Sequence, residues 1–90
     1  MSVTIQHTPN PNARKFVLSA KHFDRPLSFA DTAAAATHPL AAQLFALGAI
    51  YNVLMVQDFI TINKLPAAEW APLEQAAQQI ITAYFSASVS

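Results

Sequence analysis

Cysteine is absent from this chain of 90 residues, and glycine occurs only once, at Gly48. Without thiols the chain cannot supply a disulfide, a cysteine nucleophile, a redox Cys-x-x-Cys pair or an all-cysteine zinc or iron–sulfur site. A single glycine is also too few for a glycine-rich phosphate-binding loop. The sequence therefore excludes several common redox and nucleotide-binding chemistries for the residues that it contains.

Charge is scarce and balanced, because charged residues make up 11% of the chain and five Lys and Arg face five Asp and Glu. This balance gives no reason to expect nucleic acid or an anionic membrane as a partner. No apolar run approaches the roughly 18 residues of a transmembrane helix, and the first residues lack the pattern of a signal peptide. Since 53% of the residues are hydrophobic, the chain is too apolar to be disordered. We therefore expect a soluble domain in the cytoplasm.

Alternating apolar and polar residues predict four β-strands, over residues 3–7, 14–19, 50–56 and 59–64. The last two strands are joined by Gln57-Asp58 and form the clearest hairpin. The stretch before the first helix is harder to assign, because Asp24-Arg25-Pro26 indicates a turn and only residues 27–29 could form a short edge strand. The sheet face away from the core is predicted to carry Thr4, Lys15, Tyr51, Met55, Phe59 and Thr61.

Three helices are predicted between and after these strands. Asp31 suits the N-cap of the first helix, because its carboxylate can accept hydrogen bonds from free amides. Pro39 suits the first turn of the second helix, and Gly48 is expected to end that helix in left-handed geometry. The third helix follows Pro66, and its apolar stripe comprises Trp70, Leu73, Ala77, Ile80, Ile81 and Tyr84.

The predicted order of elements is β-β-α-α-β-β-α. It defines an α+β fold in which helices cover one face of a four-stranded antiparallel sheet. We expect one domain over residues 1–90, with residues 86–90 as a frayed tail.

The segment of residues 8–12 is stiff for a loop. Pro9 and Pro11 fix their own φ angles and lack backbone donors, and each holds the preceding residue in extended geometry. Asn12 can close a turn through its own side chain. Two interpretations remain open, namely a rigid connector between two strands and a preformed recognition edge beside the cation pair Arg14-Lys15.

Three blocks of the sequence resemble the Nfu/NifU N-terminal domain family. The first block is TPNPNARKF at residues 8–16, which is similar to the family's opening TPNPNxxKF. The second is HPLAAQLFALGAI at residues 38–50, which is similar to SPLAxxLFxxxGV. The third is DFITINK at residues 58–64, followed by Trp70, which is similar to DFITVTK and a later tryptophan. The blocks occur in the family's order and cover most of residues 4–85.

The resemblance implies a place in iron–sulfur cluster biogenesis. In full-length members of the family, a second domain carries the Cys-x-x-Cys that holds the cluster, and the N-terminal domain is linked to partner contact. This sequence is expected to stand alone, without that second domain and without thiolate ligands. The resemblance therefore implies the fold, the pathway and an accessory role, with an iron–sulfur scaffold or client protein as partner. Iron or iron–sulfur association is implied by the family alone.

A stiff loop loses little entropy on binding, and neighbouring cations could meet an acidic partner. We therefore predict that the loop and its surroundings contact the partner protein. The candidate partner-contact residues are Pro9, Asn10, Pro11, Asn12, Arg14 and Lys15, with Asp58 and Lys64 as secondary candidates.

Catalysis is not expected, because no hydroxyl lies in a recognisable arrangement with a base and an orienting group. Direct iron binding by histidine and carboxylate is an alternative function. Its candidate ligands are His7, His22, His38, Asp24, Asp31 and Asp58. Their spacing matches no ligand motif, so no metal-site residues are assigned. A further alternative is an orphan domain that forms homodimers through its open sheet face, and the oligomeric state stays open.

Overall fold

The computed structural model describes residues 3–89, which form five strands and three helices. The strands are β1 (Val3–His7), β2 (Ala13–Leu18), β3 (Phe23–Phe29), β4 (Ile50–Gln57) and β5 (Phe59–Lys64). The helices are α1 (Thr32–Ala35), α2 (Pro39–Phe45) and α3 (Trp70–Val89). The strands form one antiparallel sheet in the order β1-β2-β5-β4-β3. The predicted α+β class is confirmed, but the prediction of four strands is wrong.

The fifth strand is β3, at the edge of the sheet. It pairs with β4 through Leu27 opposite Met55 and Phe29 opposite Val53, and its register shifts between Phe23 and Leu27. Pro26 lies inside this irregular stretch. Proline is tolerated there because an edge strand can leave one side unpaired, whereas in a central strand it would remove a ladder hydrogen bond. The turn predicted at this proline is therefore replaced by an irregular strand.

The alternation along β4 matches the prediction at Ile50 and Tyr51 and is inverted from Asn52 onward. We expected Met55 on the open face of the sheet, but Met55 and Val53 are buried in the core. The register shifts between Ile50 and Asn52, which is typical of a β-bulge. Because the bulge adds a residue, it inverts the alternation beyond it and leaves Ile50 buried as well. The open face of β4 then carries Asn52, Leu54 and Val56.

The helix boundaries follow local chemistry. Asp31 Oδ1 accepts a hydrogen bond from the amide of Ala34 at 2.8 Å, which confirms the predicted N-cap of α1. Pro39 begins α2, where a missing amide donor costs little. Gly48 follows α2 with a φ of +84°, so the left-handed conformation predicted for the only glycine is confirmed.

One hydrophobic core lies between the helices and the sheet. The buried face of α3 consists of Trp70, Leu73, Ala77, Ile81 and Phe85, which includes most of the predicted stripe and adds Phe85. Ile80 and Tyr84 are half-buried at its margin. The helix continues through Val89, past the start of the tail expected over residues 86–90, and Ser90 lies outside the described residues. Within residues 3–89, no helix is long and apolar enough to cross a membrane.

Candidate functional site

The proline loop, defined here as residues 8–12, is braced by its own polar side chains. The Thr8 hydroxyl donates to the carbonyl of Asn10 at 2.9 Å and accepts from the Asn10 amide at 3.2 Å. Asn10 Oδ1 accepts from the Asn12 amide at 2.9 Å, which is an Asx turn. The Ala13 amide then donates to the Asn10 carbonyl at 3.0 Å. Asn10 rather than Asn12 therefore closes the turn, and the loop has one preferred shape.

The loop is also tied to two distant elements. Trp70 Nε1 donates to the Pro11 carbonyl at 2.9 Å, which links the loop to the first residue of α3. The Lys64 amide donates to the Asn12 carbonyl at 2.8 Å, and Lys64 Nζ donates to Asn12 Oδ1 at 3.0 Å. These bonds fix the backbone on the inner side of the loop. Pro9, Asn10 and Pro11 remain exposed on its outer side.

Arg14 is engaged inside the molecule. Its Nε lies 2.9 Å from Glu74 Oε1, in a half-buried ion pair. Its guanidinium carbon lies 4.9 Å from the centroid of the Trp70 ring, which is cation–π geometry. Arg14 therefore helps to join β2 to α3, and its charge is balanced by a carboxylate.

Lys64 is buried, with 7% of its surface exposed. Its Nζ has three acceptors within hydrogen-bonding distance, namely Asn12 Oδ1 at 3.0 Å and the carbonyls of Leu65 at 3.3 Å and Pro66 at 3.4 Å. All three are neutral oxygens. In the described part of the chain the single ion pair is that of Arg14 with Glu74, so no carboxylate is paired with Lys64.

A cavity of about 270 Å³ opens beside the proline loop, and we call it the loop pocket. Its lining residues are Asn10, Asn12, Tyr51, Asn63, Lys64 and Pro66. Asn63 Nδ2 donates to Asn52 Oδ1 at 2.7 Å, which holds one wall of the pocket. Tyr51 is 62% exposed at this edge, and the neighbouring Leu65 is 43% exposed. Among the described residues these two are the large hydrophobic side chains that face solvent.

The structure brings some of the predicted contact residues together and separates others. Pro9, Asn10, Pro11, Asn12 and Lys64 lie in or beside the loop pocket. Lys15 lies on the open face of the sheet, where its Nζ is 4.2 Å from the Phe59 ring centroid. Asp58 forms the turn between β4 and β5, at the opposite end of β5 from Lys64.

The sequence interpretation missed Tyr51 and Leu65 as members of this surface. Simple alternation predicted that Tyr51 points away from the core, and Tyr51 is indeed exposed. Its place beside the loop pocket was not predicted. Leu65 is an apolar residue directly after a strand and before a proline, which is a weak signal of an exposed apolar position.

The histidines lie in two separate regions. His22 and His38 both line a second cavity, of about 340 Å³, near the end of α3. The His22 ring stacks on Phe85 with centroids 4.2 Å apart. His38 Nδ1 is buried without a hydrogen-bond partner among the described residues, and burial lowers the pKa of His38 below its usual 6.5. His7 lies on β1, at the other edge of the sheet.

The candidate iron ligands therefore do not converge. Within residues 3–89, no three His, Asp or Glu side chains are grouped so that they could hold a metal ion. With no cysteine in the sequence, thiolates cannot complete such a group.

These features define a small α+β domain whose candidate site is a braced surface loop beside a polar pocket. The chain belongs to the Nfu/NifU N-terminal family, whose model, described as "Scaffold protein Nfu/NifU N terminal", matches residues 3–88. The resemblance found in the three sequence blocks is thereby confirmed.

Two relatives illustrate the relationship. The mitochondrial NFU1 iron-sulfur cluster scaffold homolog of Drosophila willistoni is 33% identical over 91 residues, which cover 99% of this chain and 32% of that protein. The human protein of the same name is 40% identical over 65 residues, which cover 71% of this chain and 26% of that protein. The chain thus spans about a third of the length of the curated relatives that it matches.

Solved structures share the fold. The NifU-like protein of Saccharomyces cerevisiae, solved by NMR, has a TM-score of 0.83 at 22% identity, covering 94% of this chain and 78% of that chain. A crystal structure of a Staphylococcus aureus protein has a TM-score of 0.73 at 21% identity, covering 90% of this chain and 99% of that chain. At these identities the likeness supports the fold alone.

Proposed function

We propose that this chain is a non-catalytic recognition domain of iron–sulfur cluster assembly. It contacts a cluster scaffold or a client protein through the proline loop and the adjacent apolar residues Tyr51 and Leu65. The observation that carries this proposal is that the loop is exposed yet braced by side-chain and backbone hydrogen bonds. A surface that is already ordered loses little conformational entropy when a partner binds.

The pathway is supported by family membership and by the names of the relatives, which describe iron-sulfur cluster scaffold homologs. Because this sequence contains no cysteine, thiolate ligands for a cluster must come from outside its residues. We therefore propose that the side chains of this chain contribute to cluster assembly by recognising a partner protein.

The absence of catalysis is part of the proposal. A nucleophilic hydroxyl needs a neighbouring base in hydrogen-bonding reach. Over residues 3–86, whose side chains are described, the hydroxyl bonds of Thr8 and Thr37 go to backbone carbonyls rather than to a histidine or a carboxylate. The arrangement supports a binding role.

The first experiment measures binding of the full chain to a purified, cysteine-bearing iron–sulfur scaffold protein by isothermal titration calorimetry under anaerobic conditions. The double variant Tyr51→Ser/Leu65→Ser is expected to bind at least about tenfold more weakly, because it removes two exposed apolar contacts. The matched control is Leu54→Ser/Val56→Ser on the open sheet face, which is expected to bind like the parent. Equal binding by the parent and the first variant would contradict the assigned surface.

The second experiment tests the stiffness of the loop. Pro9→Gly/Pro11→Gly gives the loop more conformations in the free state, so binding should weaken with a less favourable entropy. Circular dichroism establishes that each variant is folded before its affinity is compared. A variant that is folded but binds with unchanged affinity would show that preorganisation of the loop is not used.

The cytoplasm is the location that we propose from the sequence. The names of the relatives place those proteins in mitochondria, so the two locations are tested directly by fractionation of native cells with an antibody against this chain. Recovery with cytoplasmic markers supports the proposal, and recovery with an organelle marker contradicts it.

A further inference from the structure

We propose that the loop pocket binds a carboxylate group carried by an acidic segment of the partner protein. This inference rests on the proposed recognition function and adds the chemistry that the partner must present.

The first argument is the unbalanced charge of Lys64. Buried ammonium groups are normally paired with a carboxylate, because neutral acceptors satisfy the donors without offsetting the charge. Lys64 is 7% exposed and is bonded to one amide oxygen and two carbonyls. Arg14, which shares the Trp70 ring with Lys64, is already balanced by Glu74. Glu69 is exposed and forms no ion pair with Lys64 in the described structure.

The second argument is the donor set that lines the pocket. The Oδ1 atoms of Asn10 and Asn12 are both used as acceptors, which fixes the orientation of the two amides. Their Nδ2 groups donate to no other side chain or carbonyl among the described residues, and neither does the Tyr51 hydroxyl. No carboxylate lines the pocket. A carboxylate can accept several hydrogen bonds at once and is attracted by the ammonium, whereas a cation would be repelled.

The third argument is the size and setting of the pocket. Its volume of about 270 Å³ is close to the lower end of the range of about 300–1,000 Å³ for small-molecule and cofactor sites. A side chain of a partner protein, or its terminal carboxylate, suits a cavity of this size. Tyr51 lines the pocket, and Leu65 lies between the lining residues Lys64 and Pro66. Both are exposed and provide apolar contact for residues on either side of that carboxylate. These features favour a protein segment over a free anion.

The test is an amide NMR titration of the ¹⁵N-labelled full chain with four probes. They are the capped tripeptide Ala-Glu-Ala, its Ala-Gln-Ala counterpart, an N-acetylated trialanine with a free carboxyl end, and sodium acetate. The Glu peptide should shift the amides of Asn12, Asn63 and Lys64, with an affinity at least about fivefold above that of the Gln peptide. Added salt should weaken this binding. The free-carboxyl peptide distinguishes a terminal carboxylate from a side-chain one.

Two variants test the residues. Lys64→Met removes the charge at similar volume and should abolish the preference for Glu over Gln. The matched control Lys21→Met, at an exposed lysine between β2 and β3, should retain it. Asn12→Asp places a carboxylate 3.0 Å from Lys64 Nζ within the chain, at the position now held by Oδ1. This internal anion should reduce the affinity for the Glu peptide at least about fivefold. Asn12→Asp keeps the acceptor that contacts Lys64, so the test does not depend on the folding of Lys64→Met.

Equal affinities for the Glu and Gln peptides, or a preference that survives in Lys64→Met and Asn12→Asp, would overturn the inference. Acetate that binds as tightly as the Glu peptide would overturn the assignment to a protein segment. If none of the peptides binds while Tyr51→Ser/Leu65→Ser still weakens scaffold binding, the recognition function is supported and carboxylate binding in the loop pocket is contradicted. If scaffold binding is also unaffected, the recognition function fails as well.

Discussion

Trp70 is the residue on which the candidate site depends most. Its indole donates to the proline loop, its ring faces the Arg14 guanidinium, and Lys64 Nζ lies 6.0 Å from its centroid. The sequence interpretation favoured a core role for Trp70, and its burial confirms that role. The hydrogen bond to Pro11 was not predictable, because it joins residues 59 positions apart and depends on how α3 crosses the sheet.

Trp70→Phe is expected to destabilise the folded state by about 1–2 kcal/mol, because the Pro11 carbonyl loses its donor and the smaller ring leaves space. Urea denaturation followed by circular dichroism measures the change. Amide exchange of residues 10–13 should also become faster, since the loop loses an anchor. The matched control is Tyr51→Phe, which removes only an exposed hydroxyl and should change stability little. Unchanged exchange in the loop would contradict the anchoring role of the indole.

His38 should make stability depend on pH. Burial lowers its pKa below the usual 6.5, so the folded state binds the proton less readily than the unfolded chain. Folding free energy contributed by the neutral imidazole is therefore fully present above the unfolded pKa. It is lost as the pH falls from about 6.5 toward the lowered folded pKa. An NMR titration of the His38 ring should give a midpoint below about 6.5, and His38→Gln should flatten the fall in stability over that window. A midpoint at or above the usual value would contradict this prediction.

Among the elements, those governed by local chemistry were predictable and those governed by tertiary pairing were not. Asp31 carries a cap signal that depends on a few neighbouring residues, and this signal is confirmed. The left-handed geometry expected at Gly48 is confirmed too, although α2 ends at Phe45 with Ala46 as its C-cap. Pro26 argued against a strand, yet the edge position of β3 accommodates it. The bulge in β4 inverts the alternation after Tyr51 and so buries Met55, and no residue type in the sequence predicts it. About half of the pocket was predictable, because Asn10, Asn12 and Lys64 were candidate contact residues. The place of Tyr51 beside them depends on tertiary pairing, which the sequence pattern does not specify.

Gly48→Ala tests the left-handed turn that follows α2. The residue has a φ of +84°, and a Cβ added there would meet nothing within 4 Å, so conformational strain is the only cost. We expect a loss of about 1 kcal/mol in the free energy of unfolding. Gly48→Asn should lose less, because asparagine adopts left-handed geometry more readily. Equal losses for the two variants in urea denaturation would contradict strain as the cause.

At the scale of the whole molecule, polar groups are distributed unevenly. One end of the sheet carries the proline loop, the loop pocket and Lys64, while the β4–β5 turn with Asp58 lies at the other end. The two cavity-lining histidines lie near the last turns of α3, away from His7. The sequence shows where the charged residues and histidines lie along the chain. Their grouping in space depends on the order of the strands in the sheet, which an alternation pattern does not specify.

Because the candidate iron ligands lie in separate regions, we predict that the full chain binds iron only weakly. No three candidate ligands converge within residues 3–89, so anaerobic Fe(II) should not produce saturable, localised changes at His22 and His38. Amide NMR spectra recorded during the titration, with Zn²⁺ as the diamagnetic control, measure this. Saturable shifts confined to the second cavity would contradict the prediction and support iron binding by this chain.

Pro26 also affects which edge strand of the sheet can pair with a strand of another molecule. An edge strand presents free amides and carbonyls on which another chain can form intermolecular β-structure. On β3 the proline, the register shift and the exposed charges of Asp24 and Arg25 interrupt that row. On β1 the five residues pair regularly with β2, and no proline interrupts them. Strand addition, and therefore aggregation of the folded domain, should begin at β1.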